Sequence, residues 1–259
     1  MADPSAATAA LPPLPLMRPL RWLALGWRDF ARCPVPGLVH GLAVALIGAA
    51  LLWVARGYFW WSAGAFTGFL LVAPVVATGL YAVSRQLERG QAATLATALA
   101  AWRPKDHRMV FFGLLLALAG TGWMLTSASL ITVFAAEPVR TPADFLRVVV
   151  LSPQGLLFEA WLALGAVLAA PVFASSVIAL PLLLDRPHGV LDAVLASWRC
   201  VMEQPLALAL WAGLIMGLTT LAMLPLMLGL VVVVPWLAHA SWHAYRDLLP
   251  PDGAPAAAS

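Results

Sequence analysis

Residues 205–245 read PLALALWAGLIMGLTTLAMLPLMLGLVVVVPWLAHASWHAY, 41 residues without an Asp, Glu, Lys or Arg. One straight helix of that length would measure about 60 Å at ~1.5 Å per residue. That is about twice the ~30 Å hydrocarbon core of a bilayer. The run must fold back on itself. Pro225 cannot donate a helical hydrogen bond, so the turn is expected near Leu221 to Pro225, with a membrane-spanning helix on either side.

Four further apolar stretches of spanning length precede it: Gly37 to Val54, Tyr58 to Ser84, Met109 to Ala135 and Pro153 to Leu184. The expectation is an all-α polytopic membrane protein with six transmembrane helices. Composition agrees: 62% of the 259 residues are hydrophobic and 10% are charged, against roughly a quarter charged in soluble domains. A water-soluble domain, a disordered chain, a coiled coil and a nucleic-acid-binding protein are excluded. A transmembrane barrel is excluded too, because its strands would alternate apolar and polar residues. These runs are continuously apolar, as lipid-facing helices require.

The ends differ from the middle. Residues 1–18 hold no positive n-region and are broken by Pro12, Pro13 and Pro15, so they read as a disordered tail and not a signal peptide. Residues 250–259, with Pro250, Pro251, Pro255 and a run of alanines, read as a second tail. The membrane domain is 19–249. With six spans, Arg18, Arg21, Arg28, Arg32, Arg85, Arg89, Arg103, Lys105, Arg108, Arg186, Arg199 and Arg246 fall on one side, and only Arg56, Arg140 and Arg147 on the other. Positive residues accumulate on cytoplasmic loops. Both termini are therefore expected in the cytoplasm, with the chain in a bacterial inner (plasma) membrane. Trp22, Trp27, Trp102, Trp198 and Trp242 then fall at the cytoplasmic headgroup level, and Trp53, Tyr58, Trp60, Trp61 and Trp161 at the outer one.

An internal repeat organises the chain. Leu20, Leu95 and Leu191 are each followed seven residues later by Trp27, Trp102 and Trp198, and these by Arg28, Arg103 and Arg199. A small residue, Gly26, Ala101 or Ser197, precedes each Trp, and Pro34 and Pro205 follow the first and third Arg by six. The second span of each pair carries a proline, Pro74, Pro171 or Pro235, with a leucine 13 residues on. The expected unit is a short amphipathic cytoplasmic helix, a straight span and a proline-kinked span, occurring three times at about 19–90, 91–187 and 188–249. Parallel repeats of this kind occur among membrane proteins. In the short helices Leu and Trp suit the acyl boundary while Arg reaches phosphates.

The closing stretch His239-Ala-Ser-Trp-His-Ala-Tyr-Arg-Asp-Leu-Leu249 resembles the end motif of a bacterial integral membrane family catalogued as domain of unknown function 2189. Gly68-Phe-Leu-Leu-Val-Ala-Pro74, Gly79-Leu-Tyr81 and Ser84-Arg-Gln-Leu-Glu-Arg-Gly90 are similar to its other signature, as is Ala196-Ser-Trp-Arg-Cys200 with Gln204-Pro205. The resemblance covers roughly Trp22 to Leu249 and implies a membrane fold. Some relatives carry labels linking them to cytochrome oxidase subunits, and no functional residue carries over.

Candidate chemistry is sparse. His239 and His243 share one helix face and His40 lies at similar depth, so the three imidazoles are weak candidates for haem or copper. Cys33 and Cys200 lack metal-site spacing and read as free thiols. Glu159 is a carboxylate within a span, about 9 Å in at ~1.5 Å per residue. It is a candidate proton or cation site if it faces Thr67, Thr121 or Thr126, and an anchor if it meets Arg147 or Arg56. Pro74, Pro171 and Pro235 free carbonyls but read first as kinks. Gly37 and Gly41, Gly64 and Gly68, Gly113 and Ala117, and Gly213 and Gly217 permit close helix packing. The loop from Glu137 to Gln154 holds a helix start at Thr141-Pro142-Ala143-Asp144, which would turn Phe145, Leu146, Val149 and Val150 toward the membrane. Nucleophile-elbow, phosphate-loop and metalloprotease motifs are absent. The expected protein is therefore not an enzyme, with no cofactor and no metal. It reads as a structural or accessory protein binding lipid and other membrane proteins. The alternatives are a small-solute or proton/cation-linked transporter and a haem- or copper-associated respiratory accessory subunit.

Overall fold

The structure, a computed structural model, describes residues 13–55, 58–61, 63–65, 68–69, 77–101, 107–152 and 155–250. Among these the chain is helical and contains no strand. The main helices are α1 (Arg18–Arg32), α2 (Pro34–Ala55), α3 (Thr78–Glu88), α4 (Leu95–Ala100), α5 (His107–Phe134), α6 (Leu157–Ser176), α7 (Ala179–Asp185), α8 (Val190–Glu203), α9 (Pro205–Met223) and α10 (Leu230–Leu248).

Four of the described segments are long and apolar enough to cross a membrane: Pro34–Val54, His107–Phe134, Leu157–Asp185 and Pro205–Met223. The two other expected spans do not meet that standard, for different reasons. Part of 58–84, including Pro74, lies outside the described residues. α10 has 19 residues, but its second half carries His239, Ser241, His243, Arg246 and Asp247.

Local sequence explains the breaks. α1 closes with the Cys33 amide donating to the Asp29 carbonyl at 3.0 Å, and α2 begins at Pro34. α8 closes in the same way, Gln204 to Cys200 at 2.9 Å, and α9 begins at Pro205. Proline suits a first helical position, where its missing N–H leaves no bond unmade. The expected hairpin turn near Leu221 to Pro225 lies slightly later, at 224–229, because α9 continues to Met223. Leu226 and Met227 adopt φ of 51° and 66° there, a strained choice for residues with side chains. Gly229 lies so close to Ala222 that a Cβ would come within 2.7 Å of that residue's backbone.

The main core gathers where α1, α3, α7 and α10 meet, around Trp22, Leu80, Ile178, Leu182, Trp242 and Tyr245. The short helices dock in a particular order. α1 lies along α10, α4 packs on α3, and α8 packs on α6 and α7. Burial from 19 to 40 recurs closely from 190 to 211: Trp22, Gly26, Asp29, Pro36 and His40 are buried, as are Ala193, Ser197, Cys200, Ala207 and Trp211. Two of the three small residues that precede a tryptophan now have a reason. A Cβ on Gly26 would fall 2.5 Å from the Ala240 amide nitrogen of α10, and the Ser197 hydroxyl accepts from the Ile178 amide at 3.1 Å.

Two expectations need correction. Trp22 and Trp242 do not turn their rings to headgroups or lipid: they are 1% and 0% exposed, packed against other helices. Their indole N–H groups satisfy carboxylates, Asp247 at 2.8 Å and Glu88 at 3.1 Å, so they belong inside. Trp27, at 48% exposed, does face outward. In the loop, Thr141 caps the helix as expected, accepting from the Asp144 amide at 3.1 Å. Phe145–Val150 then winds as a π-helix, whose wider turn advances the face by a smaller angle per residue than an α-helix would. Val149 is consequently buried against Ile131 and Val139, while Leu146 faces out.

The ends of the chain are partly tied down. The Leu14 amide donates to Gln204 Oε1 at 2.9 Å, and the Pro250 carbonyl accepts from Arg186 at 2.8 Å. The rest of both expected tails, 1–12 and 251–259, lies outside the described residues.

Candidate functional site

α10 carries histidines four residues apart, which places them one above the other on one face. α1 supplies Asp29 and α3 supplies Ser84 to the same face. His243 Nε2 lies 2.8 Å from Asp29 Oδ2. The Ser84 hydroxyl donates to Asp29 Oδ2 at 2.7 Å and lies 2.8 Å from His239 Nδ1. Ser84 has one proton, and it goes to the carboxylate. His239 must then donate from Nδ1–H, so its Nε2 carries the lone pair. That nitrogen is buried and has no hydrogen-bond partner among the described residues. Phe30 packs nearby, with ring centroids 6.5 Å apart.

The chain of bonds therefore runs from the half-buried His243, through Asp29 and Ser84, to a fully buried imidazole. Burial acts to raise the Asp29 carboxyl. Hydrogen bonds accepted from His243 and Ser84 outweigh it and hold the group below the usual carboxylate range.

Next to this chain the C-terminal ends of α3, α7 and α10 are locked by charge. Arg246 reaches Glu88 at 2.9 Å and Asp185 at 3.7 Å. Arg85 lies 3.8 Å from Asp185, and the Tyr245 hydroxyl donates to Asp185 at 2.8 Å. Arg18 of α1 grips Asp247 with two bonds, 2.5 and 2.7 Å, so first and last helices are joined.

Of the expected site residues, His239 and His243 come together, but as members of a hydrogen-bond chain. His40 is buried on α2, with Nδ1 2.8 Å from its own helix's Pro36 carbonyl. Among the described residues, no group of three or more His, Cys, Asp or Glu is placed to hold a metal. Cys33 donates to the Ala93 carbonyl at 3.2 Å, and Cys200 is buried. Glu159 is exposed in the first turn of α6. Arg147 pairs with Glu137 at 2.6 Å, and Thr121 and Thr126 bond back to the Ala117 and Gly122 carbonyls. Thr67 and Arg56 lie outside the described residues.

Trp198 donates to Ser175 at 2.9 Å and Arg199 to Glu203 at 2.6 Å. Trp27 packs edge-on to Trp236 with centroids 5.6 Å apart, and Arg28 is exposed. Trp102 and Arg103 lie outside the described residues, as does Pro74. Pro171 and Pro235 both sit inside helices. Asp29 and Ser84 were missed by sequence reasoning. The signal for Asp29 existed: it falls on the stripe Pro19, Trp22, Leu23, Gly26 and Phe30, the buried side of α1.

A family model described as predicted integral membrane protein, domain of unknown function 2189, matches residues 62–185. The match bears out the resemblance read from Gly68 to Gly90; it does not extend to Ala196–Pro205 or His239–Leu249. No curated protein and no solved structure matches the chain.

Proposed function

We propose that this chain, similar over 62–185 to that integral membrane family, is a six-span, three-repeat protein of a bacterial inner membrane with both ends in the cytoplasm. It serves as a non-enzymatic accessory protein that binds other membrane proteins or lipids. The observation that carries this reading is the docking order. α1 of the first unit packs on α10 of the third, α4 of the second on α3 of the first, and α8 of the third on α6 and α7 of the second. Each unit is thus completed by another, and the arrangement closes on itself. The matching burial of 19–40 and 190–211 supports the same reading.

A bundle braced at one end leaves its outer faces free to bind. α5 and α9 are the least covered of the spanning helices. On them Gly122, Gly213 and Gly217 have nothing within 4 Å of a built Cβ. Small residues on a lipid-level face allow another helix to approach closely. Glu159, exposed at the end of α6, adds nothing specific to a transport reading.

The topology is tested by cysteine labelling in intact cells: Ala143→Cys should react from outside and Ala254→Cys should not. Photo-crosslinkers at Gly217 and at Leu46, an exposed position of α2, test the accessory role. Protein adducts at Gly217 alone support it. Equal lipid-only labelling at both positions removes the protein-partner half of the reading.

A further inference from the structure

Two recesses lie side by side at the end of the bundle where the span Leu157–Asp185 begins, remote from the Asp185 cluster. The first, about 620 Å³, is lined by Tyr58, Trp60, Trp61, Ile131, Glu137 and Arg140 among others. The second, about 560 Å³, lies between α2 and the 224–229 turn, against Leu52, Phe59, Met223, Leu224, Leu226 and Met227. Each falls in the ~300–1,000 Å³ range of ligand sites. They share Phe59, and Arg140 of the first is followed closely by Pro142 of the second.

The chemistry divides between them. Among the described residues the second recess is lined by no charged, amide or hydroxyl side chain. Both charged groups line the first. Its Glu137 is taken by Arg147 at 2.6 Å. Its Arg140 is exposed, and among the described residues the guanidinium has no carboxylate partner. Asp144 Oδ2 instead accepts from the amides of Arg140 and Thr141. The turn adds a second sign. Residues 224–228 read Leu-Pro-Leu-Met-Leu, and Leu226 is 87% exposed. Leu226 and Met227 hold positive φ, where glycine would avoid a strain of about 1–3 kcal/mol per residue. What glycine would lack is the side chain, and both of these side chains line the apolar recess.

We infer that the two recesses form one seat for a phospholipid of the leaflet at that end, its phosphate on Arg140 and an acyl chain laid past Phe59 under the 224–229 turn. This rests on the lipid half of the accessory reading and names the lipid's chemistry and its place. A polar cavity joined to an apolar one has the form of an amphiphile. Arginine suits phosphate because its planar fork gives two charge-assisted bonds. Tyr58, Trp60 and Trp61 are of the types that favour the headgroup level, apolar in the ring and polar at one edge. A partner's apolar helix would fill the second recess and leave Arg140 unmatched. Bulk lipid wets every outer face; a seat differs in holding its molecule when the bilayer is stripped away.

The test reconstitutes the full chain in vesicles of phosphatidylcholine and phosphatidylglycerol with added diacylglycerol, extracts it in mild detergent and weighs it by native mass spectrometry. The wild type should retain a single phospholipid per chain and no diacylglycerol, which has the tails without the phosphate. Arg140→Gln should lower the retained fraction about tenfold through loss of the charge-assisted bonds. Arg28→Gln, at an exposed arginine of α1, should leave it unchanged. Leu226→Gly should also lower retention without lowering the unfolding temperature, since glycine suits the turn. A photo-crosslinker at Leu226 should give lipid adducts. Equal losses in Arg140→Gln and Arg28→Gln, or no loss in Arg140→Gln, would overturn the proposal, as would diacylglycerol retained as well as phospholipid or protein adducts at Leu226. A wild type that carries no lipid, while the crosslinker at Gly217 still captures protein, ends this proposal and leaves the accessory reading standing.

Discussion

Gly41 of α2 lies directly against the Val231 carbonyl of α10: a Cβ built on Gly41 would come within 2.7 Å of the Val231 carbonyl carbon and overlap its oxygen. Pro235, four residues on, has no N–H to offer that oxygen. The missing helical bond at Pro235 of α10 and the glycine face of α2 thus belong to one contact. Gly37, one turn earlier, meets Pro235 and the Phe30 ring in the same way.

Gly41→Ala should therefore destabilise the fold by about 1–3 kcal/mol through overpacking, although alanine is the better helix former by about 1 kcal/mol. Gly213→Ala, with open space around it, should be neutral or stabilising. Thermal unfolding of the two variants in mild detergent checks the opposite signs.

Arg18→Gln should cost about 2 kcal/mol. It breaks a two-bond contact with Asp247 in which both side chains are mostly covered, and such charge-assisted bonds exceed exposed ones. Arg147→Gln should be nearly silent, since its partner Glu137 is as exposed as it is. Unfolding midpoints of the two variants, measured side by side, decide.

Asp29 gives the fold a pH dependence with a definite sign. Its folded carboxyl titrates below its ordinary range, so its contribution is full above the unfolded value of about 3.9. The contribution is lost as pH falls through the lower folded value. A melting-temperature profile from pH 6 downward should fall in that window, and Asp29→Asn should flatten the part due to this group.

Thiol labelling should separate the cysteines. Burial pushes the Cys200 thiol up to about 12, and Cys33 is raised by the same cause to a smaller degree. The thiolate is the reactive species. At pH 7.5 a maleimide should modify Cys33 slowly and Cys200 only after denaturation. Rapid double labelling of the folded protein would contradict the buried placement of Cys200.

Much of this architecture is visible in the bare sequence, because the features that place helices are local. The hairpin follows from the length of 205–245, and the starts of α2 and α9 follow from Pro34 and Pro205. The Leu-Trp-Arg spacing pointed to the short helices without saying where they dock. Docking depends on contacts between residues far apart in the chain, such as Gly26 with Ala240 or Ser197 with Ile178. The site was half legible for the same reason. His239 and His243 stand out by spacing, and Asp29 by its place on the apolar stripe of α1, but that stripe does not say which residues of α10 cover it. Ser84 stands in a stretch read for its resemblance alone, and its bonds to Asp29 and His239 span 55 and 155 residues. Trp22 and Trp242 turned inward because an indole N–H can meet a carboxylate of a neighbouring helix as well as a headgroup.

The seat of α1 on α10 also sets a schedule. About 200 residues separate the two helices, and ribosomes add about 5–20 residues per second. At that rate α1 must wait about 10–40 s for the surface it rests on. During that interval the apolar stripe of Trp22, Leu23 and Phe30 lacks its α10 partner, and only α2 at Gly37 and, later, α9 at Trp211 can meet it. A chain cut short before Leu230 would keep that stripe uncovered on the side that α10 occupies, an amphipathic helix without its seat.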